Sequence, residues 1–110
     1  MTSPLLPNYL KANRKRLALS QDEVAFLLGT KSGAKVCRHE QFVREPSLET
    51  ALAYEAIFKR SVSELFSGVY QKVEREVAER ATTLLSRTNP TKRTQQTIRK
   101  REALAGLLMS

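Results

Sequence analysis

Apolar residues recur along this chain at helical rather than alternating spacing, in short segments separated by polar capping residues, and the pattern predicts an all-α fold. Residues 1–7 hold Pro4 and Pro7 and read as an irregular lead-in, after which Asn8 caps a first helix reaching about Leu17. A second helix runs from Gln21 to Leu28. Its start carries three signals: Ser20 accepts from the Glu23 amide, Glu23 reaches back to Ser20, and Leu19 staples onto Val24. Val24, Leu27 and Leu28 fall on one face, Ala25 is small enough for a close helix crossing, and Gly29 gives the backbone freedom a sharp exit needs. Ser32 is placed to cap a third helix over about 33–41, with Val36 inward and Ala34, Lys35 and Arg38 outward. Pro46 and Ser47 precede a fourth helix whose repeating apolar set is Leu48, Leu52, Ala53, Ala56 and Ile57. A short fifth follows the capping pair Ser61 and Glu64, with Val62, Leu65 and Phe66 closing the core.

Beyond Gly68 the pattern changes to a longer amphipathic helix over about 70–86, with Val69, Val73, Val77, Ala81 and Leu84 or Leu85 in a narrow apolar stripe. A stripe of that kind needs cover, either as an intramolecular brace or as a dimer interface, and the interface is the favoured reading. Asn89 and Pro90 break the helix. Residues 91–101 then hold five basic residues, including Lys92, Arg93 and Arg99, and no acid, before a last helical segment over about 94–109 with Ile98, Leu104, Leu107 and Leu108. Two parts follow: a helical domain over 1–68 and a helical extension over 69–110.

The 110 residues, 41% of them hydrophobic, suffice for one small helical core with an appendage. Nineteen Lys and Arg against 11 Asp and Glu give a net charge of +8, a balance that favours a polyanionic partner. Residues 1–66 hold 10 basic and 7 acidic side chains and residues 67–110 hold 9 and 4, so both parts share the excess. The opening segment lacks the pattern of a secretory signal, and the longest apolar run, 24–28, is far short of the ~20 residues a membrane helix needs; the expected location is cytoplasmic. A single Cys and a single His supply neither a disulfide nor the usual zinc set, and no nucleophile, metal set or phosphate-cradling loop accompanies Glu40 and His39. Neither an enzyme nor a cofactor is expected.

From Leu10 through Phe66, about half of the chain, the sequence resembles the Xre/Cro phage-repressor class of helix-turn-helix domains. The matching residues are Leu10 and Arg14, Gln21 opening the second helix, Gly29 at the turn, Glu40 ending the third, the lead Arg44-Glu45-Pro46-Ser47, and Glu64-Leu65-Phe66. The resemblance implies a five-helix lambda-repressor-like fold, an internal ion pair between Arg14 and Glu40, and a phosphate contact from Gln21. The chain departs from the family at three places. The connector 30–33 is one residue longer than usual, which leaves the register of base-reading side chains open by one position. Phe42 stands where relatives often have a left-handed Gly, and its steric cost there predicts a different exit from the third helix. Ser32-Gly33-Ala34 replaces a common Gln and removes one route to adenine.

The expected function is sequence-specific binding of double-stranded DNA by a homodimeric transcriptional regulator, a repressor acting by occupancy, with the third helix in the major groove. Gln21, Lys31, Ser32, Ala34, Lys35, Arg38 and Arg44 are the expected DNA contacts, and Val69, Val73, Val77, Ala81 and Leu84 the dimer contacts. An antitoxin-type module that binds a protein partner through the C-terminal segment is the alternative.

Overall fold

The computed structural model describes residues 8–88, 91 and 94–109, and among them every regular element is a helix: α1 (Leu10–Arg16), α2 (Gln21–Leu28), α3 (Gly33–Glu40), α4 (Leu48–Phe58), α5 (Val62–Leu65), α6 (Ser67–Arg87) and α7 (Gln95–Leu107). The expected lead-in with Pro4 and Pro7, the break at Asn89-Pro90, and the basic residues Lys92 and Arg93 lie outside the described residues. The chain forms two compact units, residues 1–70 and 71–110. The division falls two residues beyond the expected one because Gly68 is buried and Val69 packs onto the core of the first unit.

Helix starts in the first unit follow local side-chain chemistry. Ser20 and Glu23 form a reciprocal capping box, Ser61 and Glu64 form another, and the Ser47 hydroxyl accepts from the Thr50 amide. Asn8 acts from one residue further out than a standard cap. Its Oδ1 accepts from the Leu10 amide at 3.1 Å, and its Nδ2 donates to the His39 carbonyl at 3.0 Å, tying the start of α1 to the end of α3. Helix ends follow a shared device. Ala18, Gly29 and Phe42 all take left-handed conformations after α1, α2 and α3, with φ of 60°, 81° and 53°. In each, the next residue's amide reaches back to the last turn (Leu19 to Arg14, Thr30 to Ala25, Val43 to Arg38), the paired bonds of a Schellman ending. The exit from α3 is therefore left-handed after all, and the expectation from Phe42 is corrected: two backbone bonds, Phe42 N to His39 O and Val43 N to Arg38 O, offset the steric cost of its side chain.

The core of the first unit joins Leu10, Val24, Ala25, Val36, Ala51, Tyr54, Phe58, Leu65 and Phe66, with Leu19, Leu28, Ile57, Val62 and Val69 packed at its edge. Two expected faces are corrected. Leu27 is exposed, and its expected place is taken by Ala25, whose small side chain lets α2 lie close to its neighbours. In α4, Leu48 and Leu52 face outward, while Ala51, Tyr54 and Phe58 carry the core; the helix is apolar on almost every side, so its periodicity does not single out the buried face. Tyr54 stacks on Phe58 at 5.9 Å between centroids and meets Phe66 edge-on at 6.3 Å, filling more of the core than the leucines would.

The second unit is sparser. Of its described residues only Ala81 is fully buried, and Val77, Arg80, Ala81 and Leu84 of α6 line one concavity with Leu104 and Leu107 of α7. Among the described residues no helix is long and apolar enough to cross a membrane.

Candidate nucleic-acid interface

Among the described residues the α2–α3 pair is the most extensive helix–helix contact, and it includes a close approach at Gly33. The Gly33 amide donates to Asp22 Oδ1 at 2.8 Å, so the start of α3 is capped by an acid from α2. Ser32 holds the N-cap position but its side chain makes no capping bond, which corrects the expected cap; the first amide of α3, that of Gly33, is met by Asp22 instead. A Cβ on Gly33 would lie 2.7 Å from Asp22 Oδ1, 2.9 Å from Gln21 Cβ and 3.0 Å from the Asp22 amide nitrogen. The last two belong to the α2 backbone or its root and cannot swing aside. Glycine at this position is thus the condition for α3 to cross α2 this closely.

That crossing sets which side of α3 faces out. Gly33, Val36 and His39 are buried at intervals of three, so Ala34, Lys35 and Arg38 are exposed on the other side. Lys31 and Ser32 are exposed just before the helix and Arg44 just after it. The charges of Lys35, Arg44 and Arg38 all disfavour protonation of the buried His39. None of Lys31, Lys35, Arg38 and Arg44 forms an ion pair among the described residues.

Behind this face lies a buried polar frame. Arg14 and Glu40 form a two-pronged ion pair, Nε to Oε2 at 2.5 Å and Nη2 to Oε1 at 3.2 Å, with the Glu40 side chain only 4% exposed. Arg14 Nη1 also donates to the Leu19 carbonyl at 3.0 Å, joining α1, the α1–α2 connector and α3. The bond to Glu40 raises the Arg14 pKa further. Gln21, expected at a phosphate, donates its Nε2 to Glu40 Oε1 at 3.1 Å. It is therefore a member of this frame, half-buried, with its second N–H left over for an outside acceptor.

His39 is buried beneath the exposed face. Its Nδ1 shares a hydrogen bond with the Tyr54 hydroxyl at 2.8 Å, its ring meets the Tyr54 ring edge-on at 5.7 Å, and its Nε2 has no partner among the described residues. Burial, helped by the three cations, lowers the His39 pKa, and burial raises that of Tyr54. The sequence reading missed Asp22 and Tyr54 as members of this site. Tyr54 had a signal: with Ala51 and Phe58 it forms an i, i+3, i+7 apolar set as regular as the one chosen. Asp22 had none, because its partner lies 11 residues away. Cys37 is a free thiol at the edge of α3.

Of the expected dimer residues, Val69 packs at the core edge of the first unit, Ala81 is buried within the second, and Val73, Val77 and Leu84 are exposed. Among the described residues no cluster of His, Cys, Asp and Glu could hold a metal ion. No family model, no curated protein and no solved structure matches the chain.

Proposed function

We propose that the protein is a sequence-specific DNA-binding transcriptional regulator, a homodimeric repressor whose helices α1–α5 form a lambda-repressor-like, helix-turn-helix DNA-binding unit. The observation that carries this reading is the division of α3: three buried positions at spacing three, and an opposite side bearing Lys35 and Arg38 between Lys31 and Arg44. An eight-residue helix is about 12 Å long, and the B-DNA major groove is about 12 Å wide, so the exposed side fits within one groove. In this reading Arg38 pairs with the acceptor edge of a guanine, Lys31, Lys35 and Arg44 meet phosphates, and the spare N–H of Gln21 donates to a phosphate at the start of α2. Ser32 and Ala34 lie close enough to the groove for small contacts. The Arg14–Glu40 pair holds α3 at a fixed angle so that these contacts form together. Repression follows from occupying the operator.

Selection of bound duplexes from a random pool tests the proposal. The expected product is a palindrome with half-site centres about 34 Å apart, one duplex turn. A pool that shows no enrichment at any salt concentration refutes it.

A further inference from the structure

We propose that Val43 is a specificity-determining residue of the DNA interface, one that meets the 5-methyl group of a thymine beside the base pair read by Arg38. This role rests on the DNA-binding reading above and adds to it the kind of base that an apolar side chain can recognise. The backbone fixes where Val43 stands. At the end of α3, Phe42 turns left-handed at φ 53°, its amide donates to the His39 carbonyl at 3.0 Å, and the Val43 amide donates to the Arg38 carbonyl at 2.9 Å. The Arg44 amide reaches the same carbonyl at 3.4 Å. Val43 and Arg38 are thus closed on each other by the outer bond of a Schellman ending, in which an apolar residue at the place of Val43 commonly packs on the side chain at the place of Arg38.

The same ending closes α1, with a different outcome for the apolar residue. There Ala18 is left-handed, the Leu19 amide donates to the Arg14 carbonyl at 3.1 Å, and Leu19, the equivalent of Val43, packs at the edge of the core. Leu19 has cover within the chain. Val43 is 64% exposed, beside the exposed Arg38 and Arg44. A β-branched side chain has few rotamers, so on a backbone closed this way its apolar surface is held at one place next to Arg38.

The edges of DNA bases offer one apolar group in the major groove, the thymine methyl, whereas the guanine edge that suits Arg38 offers acceptors. A valine tied to the reader of a guanine therefore fits a thymine at a neighbouring pair, where contact removes both apolar surfaces from water. The cationic heads of Lys35 and Arg44 have nothing to pair with on a methyl group.

Anisotropy titrations on the duplex selected from the random pool test the proposal, with each thymine of the half-site replaced in turn by deoxyuridine, which pairs identically and lacks only the methyl. For the wild type, one replacement, next to the guanine assigned by Arg38→Ala, should weaken binding about fourfold, the effect of burying a single methyl group. Val43→Ala should bind the thymine duplex about fourfold more weakly or worse, lose the sensitivity to that replacement, and keep wild-type affinity for random DNA. Val43→Ile, apolar and β-branched like the original, should retain the sensitivity. Thermal melts of both variants should match the wild type, because the side chain is exposed. If no thymine gives a sensitivity that Val43→Ala removes, the proposal is overturned, while the DNA-binding reading stands on the enriched duplex. If the pool yields no enriched duplex, both fall together.

Discussion

His39 is the most constrained residue of the candidate site, because its ring is enclosed, its Nδ1 is committed to Tyr54, and the charges of Lys35, Arg44 and Arg38 act on it. Burial first, and then the charges of Lys35, Arg44 and Arg38, disfavour the imidazolium. The folded pKa therefore lies below the ordinary value of 6.5, whereas the unfolded chain titrates near that value. As pH falls below 6.5 the unfolded state takes up a proton that the folded state refuses. The stability His39 contributes is complete above its unfolded pKa and is lost as pH falls toward and through its folded pKa. The limiting slope for one proton is about 1.4 kcal/mol per pH unit. Thermal melts between pH 7.5 and 5.5 should show a falling midpoint for the wild type and a flatter dependence for His39→Phe. Parallel slopes for the two proteins would mean that His39 takes up its proton without disturbing the fold.

At the scale of elements, the helices of the first unit are joined through buried polar groups as much as through apolar contact. Glu40 receives Arg14 and Gln21, so α1, α2 and α3 meet at one nearly enclosed carboxylate. Removing Arg14 leaves that charge without its main partner, which costs about 3–5 kcal/mol for a buried pair, the upper end applying where no water enters. Arg14→Ala should lower the unfolding free energy obtained from denaturant titration by this amount, and a double variant with Glu40→Gln should recover part of the loss because the orphaned charge is gone. Equal midpoints for the single and double variants would show that the pair is solvated in solution. The partners of these bonds also decide what was legible beforehand. Ser20 with Glu23, Ser47 with Thr50, and Ser61 with Glu64 are bonds within one turn, and their spacing alone exposes them. Asp22 at Gly33 and His39 at Tyr54 join residues far apart in sequence, and no local pattern announces them. The outward face of α4 was misjudged for a related reason: Leu48 and Leu52 are as apolar as Ala51 and Tyr54, and only the neighbouring helices decide between them. Phe42 shows the reverse, a local penalty outweighed by hydrogen bonds that close α3. Ala81 is buried within the second unit, where it lines a concavity with Leu104 and Leu107 of α7, and no local pattern announces that neighbourhood.

For the whole molecule, the distribution of charge follows from which charges the fold consumes. Of the 7 acids in residues 1–66, Asp22, Glu23, Glu40, Glu55 and Glu64 all accept hydrogen bonds that hold helix ends or join helices. The fold uses its acids internally and leaves Lys31, Lys35, Arg38 and Arg44 on the surface around α3, where a polyanion can meet them without displacing an ion pair. If the proposed docking holds, these cations divide into two kinds with different signatures. A lysine on phosphate binds every sequence alike and releases a counterion, so Lys35→Ala should weaken specific and random duplexes together and reduce the slope of log K against log salt by about 0.9. An arginine on a guanine edge carries sequence information, so Arg38→Ala should cost about 1–3 kcal/mol on the selected duplex, leave random DNA nearly unchanged, and relax the preference at one base pair. Anisotropy titrations of both variants on both duplexes, across a range of salt concentrations, make the comparison. Equal losses on the two duplexes for Arg38→Ala, with a salt slope reduced as for Lys35, would reassign Arg38 to the backbone. The source of specificity would then have to be sought at the other groove-facing positions, Ser32 and Ala34, or in the shape of the DNA itself.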